Sequence, residues 1–419
     1  MPDVGVKENR VAPSRGRPAL RRLLPIGIEV DEFAARYWGQ QPLHHHAPDQ
    51  PALLTLADVD ELLSRRGLRT PFLRVVKDGV VLPSSRYTGG GGIGATIGDQ
   101  AADDRVLDLF ADGATVVLQG LHRLWPPIID FSSRLAADLG HPCQVNAYIT
   151  PPDNCGFDPH YDVHDVFVLQ TAGNKTWRLY APVHPDPLPD QPWTDHRARI
   201  AARALEEPLL ELTMIPGDVL YLPRGTLHAA TAGREVSCHL TIGVHPTTRQ
   251  HLVVALLAAA KEAPELRRSL PLGFHLDQPE TLASELRATV AVLGRLLDNA
   301  DPAELADRLA PTLLKQTRPA PLAPIGQAAA LAALGPDDEI RWRPGLSTHL
   351  TADGTLILPT RRLALVPAQV VALEGLRQAT VCRVGDLPGL PAAARLEFAR
   401  LLLREGIALP AGAGDPDAG

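Results

Sequence analysis

The stretch from Asp158 to Gln170, DPHYDVHDVFVLQ, sets two histidines and two acids (His160, Asp162, His164 and Asp165) directly before an apolar run. Read as one extended strand, it places alternate residues on the same face. His160, Asp162 and His164 then look one way, and Tyr161, Val163, Asp165 and Phe167 the other. Further along, Val166 and Val168 on one face and Phe167 and Leu169 on the other are all apolar, which predicts a strand covered on both sides. Buried histidine and aspartate side chains need partners, and a metal ion can supply them.

Spacing limits how. At a strand rise of roughly 3.3 Å per residue, positions 160 and 164 lie about 13 Å apart, too far for two short side chains to share one ion. Neighbours on one face, about 6.6 Å apart, can converge. The stretch therefore offers one pair, His160/Asp162 or Asp162/His164, and needs a third ligand from elsewhere. Two histidines and one carboxylate with open positions is the donor set of non-haem Fe(II) oxygenases. A third donor is at hand in IPGDVLYLPRGTLHAA (215–230), where turns at Pro216-Gly217-Asp218 and Pro223-Arg224-Gly225 flank a short strand and present His228. The run VSCHLTIGVH (236–245) alternates sharply. Ser237, His239, Thr241, Gly243 and His245 face one way, the lumen of a barrel, and Val236, Cys238, Leu240, Ile242 and Val244 the other.

Working outward, short β-like runs separated by turn residues fill about 70 to 245: FLRVV, TVVLQG, QVNAYIT, HDVFVLQ, TWRLY, DVLYLP and VSCHLTIGV. They predict a sandwich or barrel. Before them, DEFAARYWGQQPLHHH reads as a short amphipathic helix ending near Gly39, with His44-His45-His46 in a surface turn. From about 249 to 312 the apolar period becomes helical, and Asp301-Pro302 opens a further helix. RPAPLAPIGQ reads as a linker. Residues from about 338 to 410 combine a hairpin, HLTADGTLILP, with the helices PAQVVALEGLRQ and PAAARLEFARLLLREGIALP, as in a winged helix. The formal GxGxxG in TGGGGIGATIG lacks the strand before it and the helix after it, and reads as a loop near the active site rather than a nucleotide cradle.

Composition narrows the function classes. A chain of 419 residues exceeds one ordinary core. A formal charge of −7 disfavours general nucleic-acid binding and suits a basic protein or peptide partner. The four cysteines, Cys143, Cys155, Cys238 and Cys382, form no CxxC, which fits a reducing cytoplasm. No apolar leader and no run of 18 apolar residues is present, so neither a signal peptide nor a membrane span is expected.

The ordered series NAYITPPDNCGFDPHYDVHDVFVLQTAGNKTWRLY followed by PGDVLYLPRGTLH closely resembles the JmjC-type ribosomal oxygenases, and the resemblance extends from about YWGQQPLHHH to the end of the chain. It implies an α+β protein with a double-stranded β-helix (jelly-roll, cupin-type JmjC) core, a helical dimerisation domain and a C-terminal winged-helix-like domain. The expected boundaries are a tail over 1–20, the catalytic domain over 21–248, the helical domain and linker over 249–335, the winged-helix-like domain over 336–410 and a tail over 411–419. It implies Fe(II) held by His160, Asp162 and His228, with 2-oxoglutarate and O2 as cosubstrates. Lys175 in GNKTW, 15 positions after His160, matches the residue that pairs with the far carboxylate of 2-oxoglutarate. Asn146 and Tyr148 match the NxY strand of the same pocket, with Thr241 as a further contact. Two positions depart from the family pattern: Gly243 stands where a hydroxyl residue is often found near the cosubstrate, and His164 stands where relatives carry another residue. His164 and His239 are the candidate substrate contacts.

The implied activity is hydroxylation of a ribosomal protein side chain, Arg or His, by a cytoplasmic homodimer that binds neither nucleic acid directly nor membrane. A tailoring hydroxylase of a biosynthetic peptide and a silent cupin scaffold are the alternatives.

Overall fold

A computed structural model describes residues 17–47, 53–277, 279–379 and 381–412. The expected tails lie largely outside these residues. Within them, Pro18–Arg21 is not tail but a helix turn (α1) with Ala19 and Leu20 buried, its free amide groups donating to the Asp138 carboxylate.

The chain divides into two units, Met1–Pro246 and Thr247–Gly419. In the first, α1 is followed by α2 (Val30–Arg36), β1 (Leu43–His46), α3 (Leu56–Arg65), β2 (Leu73–Lys77), β3 (Val80–Val81), β4 (Thr88–Gly89) and β5 (Gln100–Ala101). Then come α4 (Asp103–Ala111), β6 (Thr115–Leu118), α5 (Pro126–Leu139), β7 (Cys143–Thr150), β8 (Asp165–Ala172), β9 (Lys175–Tyr180) and α6 (Arg197–Arg203). The last four strands are β10 (Leu210–Met214), β11 (Asp218–Leu222), β12 (Leu227–Ala232) and β13 (Ser237–Val244). Eight strands form one sheet in the order β1-β11-β8-β13-β7-β6-β2-β3, and three form another, β10-β9-β12. Sequence neighbours β8 and β9 thus fall in different sheets, as a jelly roll requires.

The two-sided burial expected of the apolar run is present in β8. Phe167 and Leu169 pack with Phe33, Leu240 and Tyr221 on the outer face of the large sheet. Val166 and Val168 pack with Trp177, Leu179, Met214, Leu220 and Leu222 between the two sheets. The strand begins only at Asp165, however, so the face-sharing inferred for His160, Asp162 and His164 does not hold. Residues 158–164 run as irregular chain, tied to β12 by reciprocal backbone hydrogen bonds between His160 and His228 (3.1 and 2.9 Å) and by Gly225 N–H donating to the Asp162 carbonyl. A side chain on Gly225 would meet the His184 carbonyl at 2.8 Å, and its φ of +82° favours glycine as well.

The histidine run is likewise not a turn. It is strand β1, paired with β11, and His44 and His46 on its one face both hydrogen-bond Asp218 (3.2 and 2.6 Å). The Gly-rich stretch, residues 88–98, comprises β4 and most of the connection to β5; none of its residues lines the cavity described below.

In the second unit, helices α7 (Arg249–Ala260), α8 (Pro279–Asp298) and α9 (Pro302–Leu314) precede α10 (Pro324–Ala333), which begins inside the expected linker. Asp301 caps α9 by accepting from the Ala303 amide. Strands β14 (Glu339–Trp342), β15 (His349–Leu350), β16 (Thr355–Ile357) and β17 (Arg362–Ala364) lead to α11 (Pro367–Gln378), β18 (Cys382–Arg383), α12 (Ala392–Arg404) and β19 (Ala408–Pro410). The expected hairpin is β15–β16, extended by β17, and β14 pairs with both β18 and β19. No helix among the described residues is long and apolar enough to cross a membrane.

Candidate metal centre and cosubstrate pocket

A cavity of about 290 Å³ lies between the two sheets. The large sheet contributes Arg74, Thr115, Tyr148, Val166, Val168, Leu222, His239 and Thr241; the small sheet contributes Lys175, Trp177, His228 and Ala230. The irregular stretch before β8 adds Phe157, His160 and Asp162.

His160, Asp162 and His228 come together here, each offering one donor atom, all within 4.8 Å of one another. His228 Nε2 is 4.0 Å from Asp162 Oδ2, and the two imidazole centroids are 4.5 Å apart. Convergence comes from the cross-strand pairing of His160 with His228, not from alternation along one strand. Both rings are oriented in the same way. Nδ1 of His160 donates to the Asp158 carbonyl (2.7 Å) and Nδ1 of His228 to the Thr226 carbonyl (2.9 Å). A carbonyl only accepts, so the proton is on Nδ1 and the lone pair on Nε2, the tautomer a metal ligand needs. Burial, with His160 alongside, pushes the His228 pKa down to about 4, so this imidazole is neutral at ordinary pH. Burial opposes ionisation of Asp162, but the imidazoles of His164, His160 and His228 outweigh it and hold the carboxyl below its usual range. Two imidazoles with inward Nε2 lone pairs and one carboxylate fit a divalent ion of the Fe(II) type.

Lys175, 3% exposed, is the cavity's buried cation. Its Nζ donates to Thr150 Oγ1 (3.0 Å), which lies 3.2 Å from Thr115 Oγ1, and burial lowers its pKa to about 8. A buried ammonium whose hydrogen-bond partner is a neutral hydroxyl is suited to receiving a carboxylate. Tyr148 stacks on His239 (centroids 5.1 Å, planes 6° apart), and Trp177 meets His239 edge-on. Burial, then Asp162, raises the Tyr148 pKa to about 12, so its hydroxyl keeps its proton. Burial, followed by Lys175, pushes the His239 pKa well down, so that ring is neutral.

Of the sequence candidates, His160, Asp162, His228, Lys175, Tyr148, His239 and Thr241 line the cavity. Asn146 does not; its Oδ1 accepts from the Gly120 amide (3.0 Å). His164 is also outside the wall, with Nε2 3.3 Å from Gln144 Nε2 and its ring 4.9 Å from that of His245. The sequence reading missed Arg74, Thr115, Thr150, Trp177 and Trp193. Thr150 could have been found, since it continues the Asn146–Tyr148 face by one more step of two. Arg74 and Thr115 reach the cavity only through the pairing of β2, β6 and β7, which no local signal gives.

A family model described as the JmjC domain matches residues 127–252. Ribosomal oxygenase 1 of Rattus norvegicus is 27% identical over 96% of this chain and 74% of its own length. Ribosomal oxygenase 1 of Homo sapiens is 28% identical over 83% of this chain and 55% of its own length. Against these relatives the chain thus spans between about half and three quarters of the full protein. Among solved structures, the ribosomal oxygenase YcfD of Escherichia coli in complex with cobalt and 2-oxoglutarate covers 92% of this chain and 99% of its own, with a TM-score of 0.52 at 16% identity. At that identity the likeness concerns the fold.

Proposed function

This chain carries a JmjC domain and is similar to the ribosomal oxygenases, and from that premise we propose that it is an Fe(II)- and 2-oxoglutarate-dependent oxygenase that hydroxylates a ribosomal protein side chain, Arg or His. The observation that carries the proposal is the convergence of His160, Asp162 and His228 in one cavity with the buried ammonium of Lys175. A scaffold without catalysis would have no use for an unneutralised buried lysine facing a three-donor cluster.

In this reading His160, Asp162 and His228 hold Fe(II), which together with 2-oxoglutarate and O2 supplies the oxidising power to insert oxygen into a C–H bond. The protein's own residues do the positioning. The Asp158 and Thr226 carbonyls fix both imidazoles so that their Nε2 lone pairs point inward. Lys175, held by Thr150, takes the far carboxylate of 2-oxoglutarate and so fixes which end reaches the metal. Trp177, Val166, Val168 and Leu222 line the cavity with apolar surface that keeps water from the reacting centre. The Tyr148 hydroxyl, protonated and turned into the cavity, is a donor for cosubstrate or substrate oxygen.

A basic ribosomal protein complements the −7 formal charge and puts the protein in the cytoplasm. We further propose a homodimer through the exposed apolar faces of α7 and α8, and a protein-contact rather than nucleic-acid role for the winged-helix-like region after α10. The test is intact-mass analysis of ribosomal proteins from cells with and without the gene. A gain of one oxygen on a single protein, lost in the His160→Ala strain, supports the reading. Unchanged ribosomal masses, with a biosynthetic peptide oxygenated instead, would transfer the chemistry to that substrate.

A further inference from the structure

Arg74 is a charged cavity residue left without a task by the chemistry above. On β2 it faces inward, because its neighbours Leu73 and Val75 are both fully buried in the outer core. Strand pairing puts it in a single cross-sheet row, Arg74 opposite Val117, Val117 opposite Tyr148 and Tyr148 opposite His239. Its Nε is buried and has no hydrogen-bond partner. Among the described residues no carboxylate forms an ion pair with its guanidinium, and the only carboxylate lining the cavity is Asp162, already committed to the three-donor cluster. A partly desolvated guanidinium without an acceptor costs stability unless a ligand completes it.

It comes from the other sheet than the cosubstrate anchor. Lys175 is buried on the small sheet with its Nζ held by Thr150 of β7, whereas Arg74 is half-buried on β2 of the large sheet. Tyr148, in the same row, feels the charges of both Asp162 and Arg74. The cavity wall thus carries two cations, a buried one from the small sheet and a half-buried one from the large sheet.

We propose that Arg74 is a substrate-binding residue whose planar guanidinium takes an oxygen acceptor of the protein substrate, a carboxylate or main-chain carbonyl beside the hydroxylated side chain. This rests on the oxygenase reading given above. The guanidinium fork suits either acceptor, and carboxylate pairing would be bidentate.

The test compares wild type, Arg74→Gln and Arg74→Lys as full chains. Binding of 2-oxoglutarate with Mn(II) is followed by quenching of Trp177 and Trp193 fluorescence, both rings lining the cavity. Oxygenation is followed by mass in a ribosomal protein extract and in a total-protein digest. Arg74→Gln should raise KM for the oxygenated polypeptide at least tenfold more than it weakens 2-oxoglutarate binding, with Arg74→Lys recovering part of the loss. Replacing acidic residues next to the oxygenated site by their amides separates the sources. If that reproduces the Arg74→Gln loss the acceptor is a carboxylate, and if not it is a main-chain carbonyl. A larger loss of 2-oxoglutarate binding than of polypeptide KM would make Arg74 a cosubstrate anchor and overturn the proposal. Equal KM in all three proteins would overturn it as well. Oxygenation of non-ribosomal peptides that depends on Arg74 would keep the proposal and remove the ribosomal substrate. Succinate release with no oxygenated polypeptide in either mixture would remove both.

Discussion

The imidazole of His164 occupies the space that a side chain at position 243 would need: a Cβ on Gly243 would come within 2.9 Å of His164 Cε1 and 3.1 Å of Nδ1. The two positions that the sequence reading set apart from the family pattern are therefore one unit, in which the ring of one fills the space of a side chain at the other. Gln144 on β7 and His245 just beyond β13 hold that ring from either side. Adding a hydroxymethyl group there overpacks the site. Gly243→Ser should destabilise the protein by about 1–3 kcal/mol. His164→Ala in the same chain should recover most of that loss, giving a favourable coupling of about 1 kcal/mol or more in a double-mutant cycle read by urea unfolding. Additive effects would show that the ring moves aside freely.

A metal that binds the folded chain and not the unfolded one must stabilise it. At a Mn(II) or Co(II) concentration about 100-fold above the dissociation constant the gain is about 2.7 kcal/mol, visible as a rise in Tm. Single substitutions His160→Ala, Asp162→Ala and His228→Ala should each abolish that rise. A full metal-induced shift in any of the three would place the ion elsewhere.

How far the sequence foretold this arrangement differs from part to part. The apolar run of β8 was legible because burial on both faces leaves a continuous hydrophobic signature, and the structure places Val166 and Val168 on one side and Phe167 and Leu169 on the other. The strand reading of residues 158–164 failed because the same alternation is mimicked by a chain that pairs only at His160, through one isolated bridge to His228. That bridge joins residues 68 positions apart (228 − 160), and no periodicity encodes it. Lys175 was reachable by motif and Thr150 by alternation along β7, but the bond between them was not, nor was Thr115, which meets Thr150 across the sheet. Arg74 is harder still, since a lone arginine on a short strand reads as solvated until β6 and β7 are set beside it.

The buried ammonium of Lys175 gives 2-oxoglutarate binding a pH dependence. Burial has lowered its pKa to about 8, and only the protonated form attracts a carboxylate. Affinity should be full below pH about 8 and weaken by about tenfold per unit above it, following the loss of the proton. Thr150→Val removes the hydroxyl that accepts from Nζ and should move the break to lower pH. Lys175→Met should cost roughly 1.5–3 kcal/mol of binding, the range for a hydrogen bond to a charged group, or about 10- to 150-fold in Kd. A wild-type affinity that stays flat to pH 10, measured by Trp quenching with Mn(II), would show that the far carboxylate is held by something else.

Helix α8 runs for 20 residues without one buried side chain. Leu282, Leu286, Val290 and Leu297 are all exposed, Leu286 and Val290 by 59% and 58%. Their spacing of four, four and seven puts them on one stripe. On α7, Leu252, Val253, Val254 and Leu257 are exposed as well. A long helix with its apolar stripe in water gains little from its own turns, and most helical stability in proteins comes from covering such a stripe. A second copy of the chain offers a matching apolar surface, as a two-fold interface requires. The protein should therefore sediment and scatter as a dimer at micromolar concentration. Leu286→Glu with Val290→Glu should give a monomer and lower Tm, because the charges must be desolvated for the helices to meet, while 2-oxoglutarate binding measured on the monomer reports whether the cavity survives alone. A wild-type monomer at micromolar concentration, or a double variant that remains dimeric, would place the contact on another surface.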